Sequence, residues 1–183
     1  TCALPILALG GKVLWADGEF SFTKSWATMN GLDLEHVEIL QDKAIETISD
    51  WSYEMGLYWR SQLTNNEPIL LVVDSLASLD CMDNLEAAQV DAKAEMGNRA
   101  KAIDKWFRVR QRTYEQLGIT VILINQLRSK IGATPFEDPD TTPGGKATKY
   151  YASIRIGVYG GKTLKLKYDK KEVDLDFLAR QTP

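Results

Sequence analysis

Two uninterrupted apolar runs constrain the fold of this chain more than any other feature of its sequence. They read Ile-Leu-Leu-Val-Val at residues 69–73 and Thr-Val-Ile-Leu-Ile at residues 120–124. A strand with one solvated face alternates apolar and polar residues, whereas a strand covered on both faces is apolar throughout. Both runs are therefore predicted to be buried strands of a sheet that has helices on each face.

Two further apolar runs and two helical patterns extend this prediction. Residues 12–16 and 153–158 are the other predicted strands. Apolar residues also recur every three or four positions from 44 to 63 and from 96 to 117, as they do along one face of a helix. Gly118 follows the second pattern directly, which is typical of a helix C-terminus. A shorter alternating run near Leu166 predicts a half-buried or edge strand close to the C-terminus.

The alternation of strands and helices predicts an α/β fold with a mostly parallel central sheet flanked by helices. The length of 183 residues favours a single domain over residues 1–183. A formal net charge of -3 gives no basic field over the whole molecule, so any nucleic-acid contact must use local basic patches.

The composition also argues against two classes of site. The 2 cysteines and 1 histidine lack the spacing of zinc ligands, and such isolated cysteines favour a reducing, cytoplasmic location. No apolar run approaches the roughly 18 residues that span a membrane, so a membrane partner is not expected.

Polar side chains follow three of the predicted strands at the point where each strand ends. The three groups are Asp17-Gly18-Glu19, Asp74-Ser75 and Asn125-Gln126. In an open parallel sheet, ligands bind beyond the carboxyl ends of the strands. Carboxylates, a hydroxyl and amides gathered there suit a Mg²⁺-nucleotide, because Mg²⁺ keeps several waters and needs only one or two carboxylates nearby. Taken singly, each group also has an ordinary structural reading, since aspartate often caps the turn after a strand.

Residues 124–158 resemble a stretch of the RecA family that runs from the end of one strand, through the second DNA-binding loop, into the next strand. The matching elements are Asn125-Gln126-Leu127-Arg128, Lys130-Ile131-Gly132, Pro139-Asp140-Thr141-Thr142, Gly144-Gly145 and Lys149-Tyr150-Tyr151-Ala152-Ser153-Ile154-Arg155. A weaker similarity begins at Lys12. The resemblance implies a RecA-like core that uses ATP and Mg²⁺, forms a helical filament with copies of itself on single-stranded DNA, and exchanges strands with double-stranded DNA.

The resemblance also implies roles for residues beside the nucleotide. Glu19 matches the family's catalytic glutamate, which polarises the attacking water, and Gln126 matches the glutamine that senses the γ-phosphate. Asp74, followed by Ser75, ends a segment similar to a Walker B motif, in which the aspartate holds Mg²⁺ through water. Trp26 falls where the family packs an aromatic ring on the adenine. Thr23 falls where the family usually has an aspartate near the adenine, so that contact is an open expectation.

The same resemblance places the DNA contacts. Met96-Gly97 is similar to the end of the family's first DNA-binding loop, and Lys101 and Arg108 lie where the family carries arginines that approach the DNA backbone. The second loop and its flanks supply Arg128, Lys130, Gly144, Gly145, Lys146, Lys149 and Arg155. Glycines there permit close backbone approach, whose N–H groups can donate to phosphate oxygens. Tyr150 and Tyr151 are expected to begin the next strand. A solvated helix face is the alternative reading of the basic run between residues 99 and 112.

A P-loop, GxxxxGK[ST] before a helix, does not occur in this sequence. Gly160-Gly161-Lys162-Thr163 lacks the upstream glycine and leads into an alternating strand pattern. In the family, a short apolar helix and a strand follow the P-loop, and the segment from Thr1 to Glu19 has that order. We therefore expect the P-loop to precede Thr1, which would place Thr1 at the nucleotide.

Two other classes of protein remain open on sequence grounds. A RecA-fold DNA motor, such as a helicase or a branch-migration ATPase, would share the polar strand ends but not the Gly144-Gly145 loop. A non-hydrolysing recombination mediator would be favoured by a natural chain without a P-loop.

Overall fold

A computed structural model describes residues 3–64, 66–87, 92–129, 140–141, 147–158, 165–168 and 171–174, with side chains left out in several short stretches. The chain divides into two compact units, Thr1–Tyr151 and Ala152–Pro183. Each unit is described by itself. That residues 1–183 form one domain stays a prediction.

The first unit is built on a four-stranded sheet in which every pairing is parallel. The strands are β1 (Lys12–Asp17), β2 (Val37–Leu40), β3 (Ile69–Asp74) and β4 (Ile119–Leu123). Their order across the sheet is β2-β1-β3-β4. The predicted parallel α/β architecture is confirmed, and three strands form within one residue of the predicted bounds.

Six helices connect or flank the strands in the described part of the chain. They are α1 (Ala3–Ala8), α2 (Lys24–Met29), α3 (Ile45–Gln62), α4 (Met82–Glu86), α5 (Ala92–Leu117) and α6 (Ala147–Tyr151). The two long helical patterns correspond to α3 and α5. Gly118 ends α5 with a φ of 64°, a left-handed conformation that glycine adopts without steric cost.

The sheet carries a hydrophobic core on each face. Leu14, Leu71 and Val73 face α3 and α5. The alternate residues Val13 and Leu70 face α1 and α2. All five side chains are at most 1% exposed, and burial of each contributes about 1.5–3 kcal/mol relative to exposure. Covering both faces explains why β3 reads as a continuous apolar run.

β4 differs from the prediction of a strand buried on both faces. Within the described residues it pairs only with β3 and forms an end of the sheet, so Thr120 is exposed and Val121 to Leu123 are half-buried. The strand β2 was not predicted, because four residues interrupted by Glu38 give no clear pattern. It forms because β1 offers it a parallel partner.

The predicted strand at residues 153–158 is wrong. These residues of the second unit adopt no regular secondary structure, and Ile154, Ile156 and Val158 are all more than 80% exposed. A strand needs a hydrogen-bonded neighbour, and no described strand pairs with this segment. The alternating run near the C-terminus does form a strand, β7 (Lys165–Tyr168), which pairs antiparallel with β8 (Lys171–Asp174).

The first unit also contains a small antiparallel pair of two-residue strands, β5 (Arg128–Ser129) and β6 (Asp140–Thr141). None of the described helices contains a stretch long and apolar enough to cross a membrane.

Candidate functional site

The carboxyl ends of β1 and β3 meet at one edge of the sheet. Asp17 and Asp74 are register partners at the last position of these strands. One residue beyond, the Ser75 hydroxyl donates a hydrogen bond to Glu19 Oε1 at 2.5 Å. The structure therefore brings Glu19, Asp74 and Ser75 together at this edge, as their positions after the strands predict.

Asp17 anchors the loop that follows β1. Its side chain is fully buried and accepts hydrogen bonds from the backbone N–H groups of Glu19 (3.2 Å) and Phe22 (2.8 Å). Gln41 Nε2, beyond β2, donates a third bond at 2.9 Å. Burial by itself would raise the pKa of Asp17, but the hydrogen bonds from Gln41 and from backbone N–H groups outweigh it and lower the pKa. Asp17 is therefore held ionised and holds Glu19 in place.

Asp74 lies in a different environment. Its carboxyl group is half-buried, and within the described ranges no hydrogen bond or basic side chain reaches it. Burial raises its pKa, and the negative charges of Glu19 and Asp17 raise it further. A carboxylate with unbalanced negative neighbours attracts a cation.

The turn after β3, the 3₁₀ helix Leu76–Ser78, connects three parts of this edge. It follows a cis peptide bond between Asp74 and Ser75. Its first N–H, on Leu76, donates to the carbonyl of Ile124 at the end of β4, 2.8 Å away. The Ser78 hydroxyl donates to the Ser75 carbonyl at 2.7 Å. The turn therefore links the ends of β3 and β4 to the loop that carries Glu19.

Gly18 brings that loop against the turn. A Cβ atom at this position would lie 2.5 Å from Leu79 Cδ2 and 2.6 Å from Ser78 Oγ. A larger residue would require both of these side-chain ends to shift, so glycine permits the close contact between the loop and the turn.

A cavity of about 310 Å³ opens next to Asp74. Its walls are Trp15, Ser21, Phe22, Thr23, Trp26, Ala27, Leu32 and Asp74. Trp26, Thr23 and Asp74, which were predicted at the nucleotide, therefore share one cavity. The Thr23 hydroxyl donates weakly to the Ser21 carbonyl at 3.4 Å. The aromatic walls suit a flat ring, and the Asp74 carboxylate at the side suits a cation bound next to that ring.

These residues fit a magnesium ion that keeps its own waters. No group of three or more His, Cys, Asp or Glu side chains in the described ranges could enclose a metal ion. Mg²⁺ does not require such a cage, since it is usually held by one or two carboxylates together with water and phosphate. Asp74, with Glu19 nearby and a raised pKa that a cation would reverse, meets that requirement.

The end of β4 contributes less than predicted to this geometry. Gln126 is exposed, and its N–H donates to Asn125 Oδ1 at 3.0 Å. The edge is joined to β4 by the Leu76–Ile124 backbone bond. A role for the Gln126 side chain stays a prediction.

Helix α5 separates the six basic residues of its basic run into two groups. Lys101, Lys105, Arg108 and Arg112 are exposed. Arg110 turns inward, where it pairs with Asp50 Oδ1 at 2.5 Å and donates to Ser49 Oγ at 3.2 Å. Arg99 is also half-buried and donates to the carbonyl oxygens of Leu76 and Ala77. Lys101 and Arg108 thus lie on the solvated face, as phosphate contact requires.

The inward turn of two arginines has a signal in the sequence. Arg99, Ile103, Trp106 and Arg110 are spaced four, three and four apart, which places them on one helix stripe. Ile103 and Trp106 are buried, so both arginines flank the buried stripe. The helical period that predicts α5 therefore places both arginines beside its apolar face, which a count of basic residues alone does not show.

Helix α6 corrects the expectation for the two tyrosines. Tyr150 and Tyr151 end this helix and do not begin a strand. Tyr151 packs on Phe107 with ring centroids 5.6 Å apart, and Tyr150 is 81% exposed. Lys149 beside them is exposed. A short helix forms here because the Tyr151 ring finds an apolar partner on α5.

The remaining predicted contacts divide by what the structure describes. Gly97 in α5 is exposed, as is Arg155 in the second unit. The others lie outside the described residues or side chains: Thr1, Met96, Arg128, Lys130, Gly144, Gly145 and Lys146.

Sequence reasoning missed several residues that build the site. Asp17 was read only as part of a strand-end group, and Gln41, Trp15, Phe22 and Ser78 were not singled out. The signal available for Asp17 was its position as the last residue of an apolar strand, two residues before Glu19.

Comparison with known proteins gives consistent matches. The model of the RecA N-terminal domain family matches residues 3–176. Protein RecA of Mesomycoplasma hyopneumoniae (strain 7448) is 32% identical over 180 residues, covering 92% of this chain and 50% of that protein. Protein RecA of Bacteroides thetaiotaomicron is 33% identical over 157 residues, covering 85% of this chain and 44% of that protein. Protein RecA of Synechococcus elongatus is also 33% identical over 157 residues, covering 85% and 41%. The chain therefore spans half or less of the length of these relatives.

Proposed function

The chain belongs to the RecA family, and on that premise we propose that it is the nucleotide-hydrolysing core of an ATP-dependent DNA recombinase. The protein would assemble on single-stranded DNA as a filament in the cytoplasm and exchange strands with homologous double-stranded DNA. The observation that carries the proposal is the junction of Glu19, Ser75 and Asp74 beside an aromatic cavity.

Glu19 is the residue that would act on water. The Ser75 hydroxyl holds one of its oxygens, and the Glu19 backbone N–H is bound by Asp17. A glutamate held at its backbone and at one carboxylate oxygen can orient a water molecule with the other oxygen and accept its proton as the water attacks the γ-phosphate. Phosphoryl transfer depends mainly on such positioning and on charge stabilisation.

Asp74 would hold Mg²⁺ through water, and the ion would neutralise phosphate charge when bound. Trp26 would pack on the adenine at the open side of the cavity, with Thr23 as its polar neighbour. Gln126 would contact the transferred phosphate. Thr1 would lie beside the phosphates of the bound nucleotide.

The proposed DNA contacts use exposed basic residues and glycine-rich backbone. Lys101 and Arg108 on α5 are exposed, and their spacing of seven residues places them on the same side of the helix, about 10 Å apart along its axis. Gly97 and Met96 precede them. The second loop would add Arg128, Lys130, Gly144, Gly145, Lys146, Lys149 and Arg155. Contacts of this kind are electrostatic, so DNA affinity is expected to fall steeply with salt.

The test is DNA-stimulated ATP hydrolysis by the natural full-length protein and its Glu19→Gln variant. Glutamine keeps the shape of Glu19 but cannot accept the proton, so hydrolysis should fall at least about 100-fold. Glu54→Gln, on the exposed side of α3, is the matched control and should hydrolyse ATP normally.

Three results would contradict the proposal. Full hydrolysis by Glu19→Gln would remove Glu19 as the base. Rings in place of filaments in electron micrographs with DNA and an ATP analogue would favour a DNA motor. DNA binding without any hydrolysis by the unchanged protein would favour a mediator.

A further inference from the structure

The turn of α5 from Gly97 to Lys101 has two faces with different contacts. Gly97 and Lys101, four residues apart, are exposed on one face and were predicted to meet DNA. Arg99 lies midway between them in sequence, about 200° around the helix from each. It points to the opposite side and is half-buried.

Arg99 binds the turn that follows Asp74. Its Nη2 donates to the Ala77 carbonyl at 3.2 Å and to the Leu76 carbonyl at 3.5 Å. Both carbonyls belong to the 3₁₀ helix Leu76–Ser78. The shorter bond, to Ala77, attaches the helix to the turn, and the planar guanidinium directs the same nitrogen toward both carbonyls.

That turn leads directly to the reacting edge. Its N-cap residue, Ser75, donates to Glu19 Oε1, and the Ser78 N–H and hydroxyl both donate to the Ser75 carbonyl. The Leu76 N–H holds the end of β4 through Ile124. Arg99 and Glu19 are therefore attached to the same short turn, each by hydrogen bonds, with the backbone from Ser75 to Ala77 between them.

We propose that Arg99 is a positioning residue that couples DNA contact on the outer face of α5 to the orientation of Glu19, through the Leu76–Ser78 turn. The inference rests on the proposed function, since it assumes that Glu19 acts in hydrolysis and that α5 meets DNA. Coupling between two sites needs a physical element to which both are attached, and this turn is such an element.

The experiment compares Arg99→Ala, Arg99→Lys and the control Arg112→Ala in the natural full-length protein. Arg112 is not among the proposed DNA contacts, and Arg112→Ala removes the same charge from the exposed face of the same helix. Its DNA affinity, measured alongside, separates the loss of a surface charge from the loss of coupling. For each protein, the ratio of ATP hydrolysis with and without single-stranded DNA is measured, together with DNA affinity by fluorescence anisotropy. We expect the ratio to fall about tenfold in Arg99→Ala with DNA affinity unchanged. Arg99→Lys, which keeps a donor but not the planar fork, should give an intermediate ratio, and Arg112→Ala the original one.

A second readout does not depend on hydrolysis. Hydrogen exchange at the Leu76 and Ser78 amides should change when single-stranded DNA is added to the unchanged protein and to Arg112→Ala. The change should be absent in Arg99→Ala. If Arg99→Ala does not fold, Arg99→Lys takes its place in both measurements.

The outcomes separate the inference from the function on which it rests. Three results would overturn the coupling role. The ratio of hydrolysis with and without DNA could stay unchanged in Arg99→Ala, or DNA affinity could fall in this variant as much as the ratio does. Arg112→Ala could also lower the ratio as much as Arg99→Ala. Absence of DNA-stimulated hydrolysis in the unchanged protein would overturn the proposed function, and amide exchange would still decide whether Arg99 transmits DNA binding to the turn.

Discussion

Asp17 and Asp74 end adjacent parallel strands and are register partners, so they differ in surroundings and not in residue type or place in the sheet. Asp17 is fully buried and accepts three hydrogen bonds, which lower its pKa. Asp74 is half-buried at the wall of a cavity, and burial together with the charges of Glu19 and Asp17 raises its pKa. The difference shows that one aspartate builds the site, whereas the other is left available to a ligand.

The largest effect that would sharpen this comparison is expected from Asp17→Ala. The substitution removes a buried carboxylate and leaves the partly buried Phe22 N–H and the Gln41 amide without their acceptor, and the free energy of unfolding should fall by about 3 kcal/mol. Urea unfolding followed by tryptophan fluorescence measures the loss. Asp74→Ala is the matched control at the neighbouring strand end, and an equal loss there would break the comparison.

A smaller effect of opposite sign is expected from Asp74→Asn. Removing a charge that its surroundings disfavour should stabilise the fold at neutral pH, by less than about 1 kcal/mol because water screens a half-exposed group. Thermal unfolding without nucleotide or Mg²⁺ tests this. A lower melting temperature would mean that the Asp74 carboxylate supports the fold.

The smallest effect is expected in the pH ranges over which the two aspartates change the free energy of unfolding. A lowered pKa gives Asp17 a stabilising contribution that is complete above the ordinary aspartate value of 3.8 and is lost as the pH falls below it. A raised pKa gives Asp74 a cost that is absent below 3.8 and grows as the pH rises above it. The stability gaps between the unchanged protein and Asp17→Asn or Asp74→Asn should therefore change on opposite sides of pH 3.8. Gaps that change in one common window would show that the two groups titrate alike.

Local patterns were enough to predict the core of the fold. The apolar run of β3 and the periodic stripes of α3 and α5 are set by burial, which acts on consecutive residues and is visible in sequence. The segment at 153–158 shows the limit of this reasoning, because an apolar run becomes a strand only when a neighbour supplies hydrogen bonds.

Candidate site residues were predictable where a strand end marks them. Asp74, Ser75 and Glu19 come directly after apolar runs, and parallel strands bring such ends together. The support for these residues was not predictable in the same way. Gln41 reaches Asp17 from 24 residues away, and Arg99 reaches Ala77 from 22 residues away, so neither contact leaves a local pattern.

The close approach at Gly18 has a consequence for how this sequence can vary. Because Ser78 Oγ and Leu79 Cδ2 already fill the space where a side chain would begin, a larger residue at position 18 requires the side chains at positions 78 and 79 to shift or to become smaller. In a randomised library of these three positions, surviving clones that carry a larger residue at 18 should be restricted to those with smaller neighbours. Position 18 and positions 78 and 79, about 60 residues apart in sequence, are therefore expected to vary together.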